Sequence, residues 1–123
     1  MHIVKAVADI GEQMGMDLKL NPDGICTLNL GETDSLFLER RGDVLAISLA
    51  RRVDKDLISC LERGLELCHL KNEPRHGLRI SLFRDNALVA TSKLERYHMD
   101  AGMTEQILPY LFEVMNKIQE VKP

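Results

Sequence analysis

The chain has 123 residues, a mass of 13.9 kDa and a formal net charge of −3, with 45% hydrophobic and 28% charged residues. Roughly 100 to 200 residues make a domain, so this length predicts one domain over residues 1–123 and leaves no room for a second. The composition is ordinary globular usage, which excludes a disordered, collagen-like or fibrous chain.

Its most apolar short stretch, Val44 to Ala50, is far below the roughly 18 residues of a membrane helix, so no membrane insertion is expected. Residues Met1 to Ala6 soon meet Asp9 and Glu12 and lack the basic start and long apolar centre of a signal peptide, which makes the cytoplasm the expected compartment. A pI near 5.8 and a content of only three Phe, two Tyr and no Trp argue against nucleic acid as a partner. Three cysteines, Cys26, Cys60 and Cys68, are an odd count without CxxC spacing, as expected of reduced thiols. Cys60 and Cys68, if helical, stand about 12 Å apart along the axis, too far to bridge.

The pattern along the chain predicts eight elements. Ile3, Val7, Ile10 and Met14 recur at steps of four, three and four, one face of a helix over 2–14, with Gly15 suited to a left-handed cap. Asn21-Pro22-Asp23-Gly24 is turn chemistry. From Ile25 the period becomes two, with Cys26, Leu28 and Leu30 pointing one way and Thr27 and Asn29 the other. Turns at 31–34 and 40–43 then separate two further strands, one carrying Leu36 and Leu38 and the next Leu45, Ile47 and Leu49.

Asp54 or Asp56 can cap a second helix in which Leu57, Leu61, Leu65 and Cys68 form a stripe widened by Ile58 and Leu70. Asn72-Glu73-Pro74-Arg75-His76-Gly77 ends it. Leu78, Ile80 and Leu82 alternate in a fourth strand, and Leu88 to Leu94 returns as a fifth after Arg84-Asp85-Asn86. Met103, Ile107, Leu111, Val114, Ile118 and Val121 run at helical spacing, with Asp100 or Thr104 as caps and Pro109 expected to kink the helix or mark its start. Helix, three strands, helix, two strands, helix defines an α+β chain with helices packed on an antiparallel sheet.

No enzyme constellation is legible. His2, His69, His76 and His98 fall on a terminus, a helix end, a turn and a loop, and none forms HxxxH or HExxH, so no metal is expected. The eight glycines are scattered without GxGxxG or GxxxxGK[ST], so neither a nucleotide nor another cofactor is expected. Adjacent Cys68 and His69 would diverge by about 100° on a helix and make a poor nucleophile and base. What stands out is apolar surface: three amphipathic helices compete for one five-stranded sheet, and a stripe left over must meet another chain.

Element order and particular segments resemble the small chaperones of bacterial type III secretion, the SycE/CesT-like class. The resemblance spans nearly the whole chain. It rests on the first helix ending in Met14-Gly15-Met16, on Ser35 to Arg51 with its Leu-x-Leu-Glu, Gly turn and Leu-Ala-Arg ending, and on the leucine-rich helix after it. The middle hairpin looks most like the SycN members. Pro109 has no match in that pattern.

The resemblance implies a non-enzymatic cytoplasmic chaperone that binds the amino-terminal region of a secreted effector or gatekeeper protein in extended form. It implies effector contact at Ile3, Val7, Ile10, Leu28, Leu30, Leu36 and Leu38. It also implies dimerisation, as a homodimer or with a second chaperone, through Leu57, Leu61, Leu65 and Cys68 of the second helix and Ile80 and Leu82 of the fourth strand. The alternative is a small α+β ligand-binding or enzyme-subunit domain, which would need an internal pocket with convergent polar groups.

Overall fold

A computed structural model describes residues 2–69, 77–84, 86–95 and 101–119, and of residues 2 and 101–103 the backbone alone. The elements are α1 (His2–Gln13), β1 (Ile25–Leu30), β2 (Asp34–Arg41), β3 (Val44–Arg52), α2 (Leu57–Leu67), β4 (Arg79–Phe83), β5 (Ala87–Leu94) and α3 (Ala101–Gln119). This is the predicted order. The expectations placed on Leu70, on 72–76, on Asp85, on His98 and Asp100 and on Val121 lie outside the described residues.

Local chemistry sets the turns. Asn21 Oδ1 accepts hydrogen bonds from the backbone N–H groups of Asp23 and Ile25, at 2.9 and 3.0 Å, and so starts β1. Gly42, at φ 62°, occupies the tight turn that pairs Arg41 with Val44. Gly15 adopts φ 70°, the left-handed conformation expected after α1.

The five strands form one antiparallel sheet in the order β1-β2-β3-β5-β4, so β1 and β4 are its edges. Cross-strand partners share a face. Cys26, Leu38, Ile47 and Ser92 therefore lie on one face, and Thr27, Phe37, Ser48, Thr91 and Arg79 on the other. The buried cluster joins the first face, through Leu36, Leu38, Leu45, Ile47, Leu49, Leu88, Ala90 and Leu94, to Val7 and Ile10 of α1, Cys60 of α2 and Ile107, Leu111, Met115 and Ile118 of α3. α2 and α3 pack on this face with α1 against α3, and among the described residues no helix joins the cluster from the other face.

α3 lies centrally, touching α1, α2, β3 and β5. Gly64 lets α2 close on this layer, since a Cβ there would stand 2.8 Å from Ile80 Cγ2 and 3.1 Å from Ile118 Cδ1. Arg63 donates from Nε to the Ile118 carbonyl, 2.6 Å away, and so ties α2 to the last turn of α3.

Two expectations are corrected. Asp56 occupies the cap position of α2 but has φ 57°, and its side chain makes no capping hydrogen bond; its backbone carbonyl instead accepts from Cys60 N. Pro109 does not start α3, which begins at Ala101 and runs through it. Pro109 and Glu105, one turn earlier, are both exposed, so water can solvate the carbonyl that loses its helical donor.

Candidate protein-binding site

The first candidate surface lies beside α1. After Gly15 the chain runs extended and returns along the helix because residue 11 has no side chain: a Cβ on Gly11 would stand 2.6 Å from the Met16 carbonyl oxygen and 3.0 Å from Leu18 N. Met16 N in turn donates to the Gly11 carbonyl at 2.8 Å. Between helix and returning segment lies a groove of about 320 Å³, lined by Val4, Val7 and Ala8 on one side and Asp17 to Leu20 on the other. Val4 is 62% exposed. Asp17 and Lys19 provide charge at a largely apolar wall, and Leu20 leads directly into the turn that begins β1.

Of the seven residues expected at an effector site, Ile3, Val7, Ile10, Leu36 and Leu38 are buried and Leu28 and Leu30 half-buried. The α1 stripe is buried in the chain's own core, where α1 packs on α3, and of its three residues Val7 alone also lines the groove. Leu28 and Leu30 belong to an edge strand whose outer side pairs with no described residue. Sequence reasoning missed Val4, Ala8, Leu18 and Leu20. The signal for two of them was present: Met16, Leu18 and Leu20 alternate with Asp17 and Lys19 at period two.

The second surface is formed by α2 and β4. Leu57, Leu61 and Cys68 are half-buried, and Ile80 is buried beneath Gly64. Leu65 is 51% and Leu82 42% exposed, and Ile58, at 62%, joins Leu61 and Leu65 at i, i+3 and i+7. Burial pushes the Cys68 thiol above its ordinary value of 9.0, a shift only partly offset by a backbone hydrogen bond from Ile80, so the thiol stays protonated near neutrality.

Among the described residues no three His, Cys, Asp or Glu side chains converge on a metal-sized site. A smaller recess between α1 and α3 brings Asp9, Glu12 and Glu105 near Gln13, whose amide donates to the Thr104 carbonyl at 3.0 Å.

An antiparallel sheet with helices on one face and apolar grooves and edges left open defines a small protein-binding chain, and comparison with known proteins agrees. Residues 2–120 match the family described as type III secretory system chaperone SycN. The chain belongs to that family.

Among solved structures it is similar to a chain of the HopA1–SchA chaperone–effector complex, at 17% identity and a TM-score of 0.72, covering 98% of this chain and 94% of that one. It is similar to a chain from the complex of the Yersinia pestis type III secretion chaperone SycH with a fragment of YscM2, at 14% identity and a TM-score of 0.72, covering 95% and 99%. A chain of the ExsC–ExsE complex aligns at 14% identity and a TM-score of 0.73, covering 98% and 93%. These likenesses establish the fold. No curated protein matches the chain.

Proposed function

We propose that this type III secretion chaperone acts in the cytoplasm, without catalysis, by holding the amino-terminal region of a secreted effector or gatekeeper protein at the α1 groove and the outer edge of β1. The observation that carries this reading is the groove itself, an apolar channel whose wall continues into an unpaired edge strand. An extended segment can seat alternate side chains in such a channel and add main-chain hydrogen bonds to such an edge, which gives affinity with modest demand on its sequence. Ordering it costs roughly 2 to 5 kcal/mol, so the apolar contact must be extensive. The similar structures include a chaperone–effector complex and a chaperone bound to a fragment of another protein, which supports the same role here.

The α2 and β4 surface is proposed as the dimer contact, with a second copy or a second chaperone. Ile58, Leu65 and Leu82 are exposed apolar side chains that such a contact would bury.

Two variants test the readings separately, because each changes an exposed position. Val4→Asp should keep the melting temperature and lose co-purification of the secreted partner from the native host. Leu65→Asp should halve the mass measured by light scattering and keep the fold. Retention of the partner by Val4→Asp would move the binding surface elsewhere, and an unchanged mass for Leu65→Asp would remove the dimer contact.

A further inference from the structure

The face of the sheet turned away from the helices has its own charge. Arg41, Arg52, Lys93 and Arg79, from β2, β3, β5 and β4, occupy positions on this face by the strand register, and all four are exposed. The one carboxylate among the strand positions of this face is Glu39, which pairs with Arg41. Arg52 reaches Asp54 at 3.5 Å. Arg79 pairs in register with Thr91, two residues from Lys93 on the same face, and among the described residues neither cation has an ion pair. A chain with a net charge of −3 thus gathers positive charge on one surface.

The middle of this face is low and apolar. Ala46 and Ala50 are 2% and 6% exposed, and the Ser48 and Thr91 hydroxyls bond each other at 2.8 Å. Phe37 of β2 and Phe83 of β4 reach toward each other over the two strands between them, with ring centroids 6.4 Å apart and planes tilted by 41°. Phe83 is 46% exposed, and the Arg84 guanidinium lies 5.2 Å from its centroid. The exposed edge of the Phe83 ring offers apolar contact, and the surrounding cations select for negative charge.

We propose that this helix-free face docks an acidic protein segment carrying apolar side chains, with its carboxylates at Arg79 and Lys93 and an apolar side chain on the Phe37 and Phe83 rings. The contact is distinct from the groove beside α1 and does not depend on it. A nucleic acid is the poorer fit, because the rings are tilted against each other and the whole chain repels phosphate.

The test uses fluorescence anisotropy with a labelled twelve-residue peptide alternating glutamate with phenylalanine or leucine, and a counterpart with lysine in place of glutamate. The acidic peptide should bind the wild-type chain at least tenfold more tightly than its lysine counterpart, with affinity falling as salt rises. Arg79→Glu combined with Lys93→Glu should weaken the acidic peptide at least tenfold and leave the melting temperature and Val4-dependent partner capture unchanged. Should that reversal unfold the chain, Arg79→Gln combined with Lys93→Gln should still lower the affinity severalfold. Equal binding of the two peptides, unaltered binding by the charge variants, or displacement of the acidic peptide by an equally charged oligonucleotide would overturn the proposal.

Discussion

Arg51 and Asp34 face each other across β3 and β2, and the guanidinium holds both carboxylate oxygens at once, Nε to Oδ1 at 2.8 Å and Nη2 to Oδ2 at 2.9 Å. Its remaining nitrogen, Nη1, donates to Asn116 Oδ1 and Gln119 Oε1, both at 2.8 Å, so one side chain fastens the end of α3 to the sheet. The two side chains are only 14% and 10% exposed. Asp34→Ala strands a mostly buried cation and should lower the unfolding free energy by about 3 to 5 kcal/mol. Urea unfolding of Asp34→Ala, Arg51→Met and the double variant checks this, with the double variant expected to recover much of the loss.

Gly11→Ala should destabilise the chain despite the better helix propensity of alanine. The added methyl meets backbone at Met16 and Leu18, which the Met16 hydrogen bond holds in place. Overpacking costs roughly 1 to 3 kcal/mol, against about 1 kcal/mol gained in helix propensity. The substitution also displaces the wall of the groove. A melting temperature lower by several degrees together with weakened partner capture is expected, and an unchanged melting temperature would contradict the contact.

Ser92→Ala should stabilise. Ser92 is fully buried on the helix-covered face, and among the described residues its hydroxyl oxygen has no hydrogen-bond partner. Removing an unpaired buried hydroxyl avoids a desolvation cost of about 1 kcal/mol. Thermal unfolding should show a higher midpoint, and a lower one would mean that a bound water satisfies the hydroxyl.

Cys68 carries a pH dependence with a definite sign. Burial raises its thiol above the ordinary value of 9.0, so the folded chain keeps the proton to higher pH than the unfolded chain does. The resulting contribution to stability is fully present below the ordinary value and lost as pH climbs through the raised one. Alkylation of Cys68 by iodoacetamide should therefore accelerate only above pH 9, later than for a small soluble thiol. Cys68→Ala should flatten the alkaline decline in stability.

Period two from Ile25, at Leu36 and Leu38, and at Leu45, Ile47 and Leu49 exposed the strands in the sequence, but it did not show that Leu36 and Leu38, which the family resemblance gave to effector contact, are buried. The destination of the α1 stripe was not legible. Ile3, Val7 and Ile10 show that a helix is amphipathic, but that pattern is the same whether the apolar side meets its own sheet or another chain. Val4 lies off the stripe and gains meaning only beside Leu18 and Leu20, a juxtaposition that depends on the close approach at Gly11. The basic face was hidden for a related reason. Arg41, Arg52, Arg79 and Lys93 come from four strands, and only the cross-strand register brings them to one side.

The strand order sets a scale for valency. β1 and β4 are separated by four strand spacings, about 19 Å at the usual 4.7 to 4.9 Å each. An extended polypeptide advances roughly 3.3 Å per residue, so about six residues carry it from one edge of the sheet to the other. On the proposed assignments, a guest at β1 and a subunit along β4 occupy separate edges and can be present together. A guest held at the proposed β1 edge would cross the helix-free face within those residues, and a second contact there would gain from effective concentration rather than from any stronger individual contact.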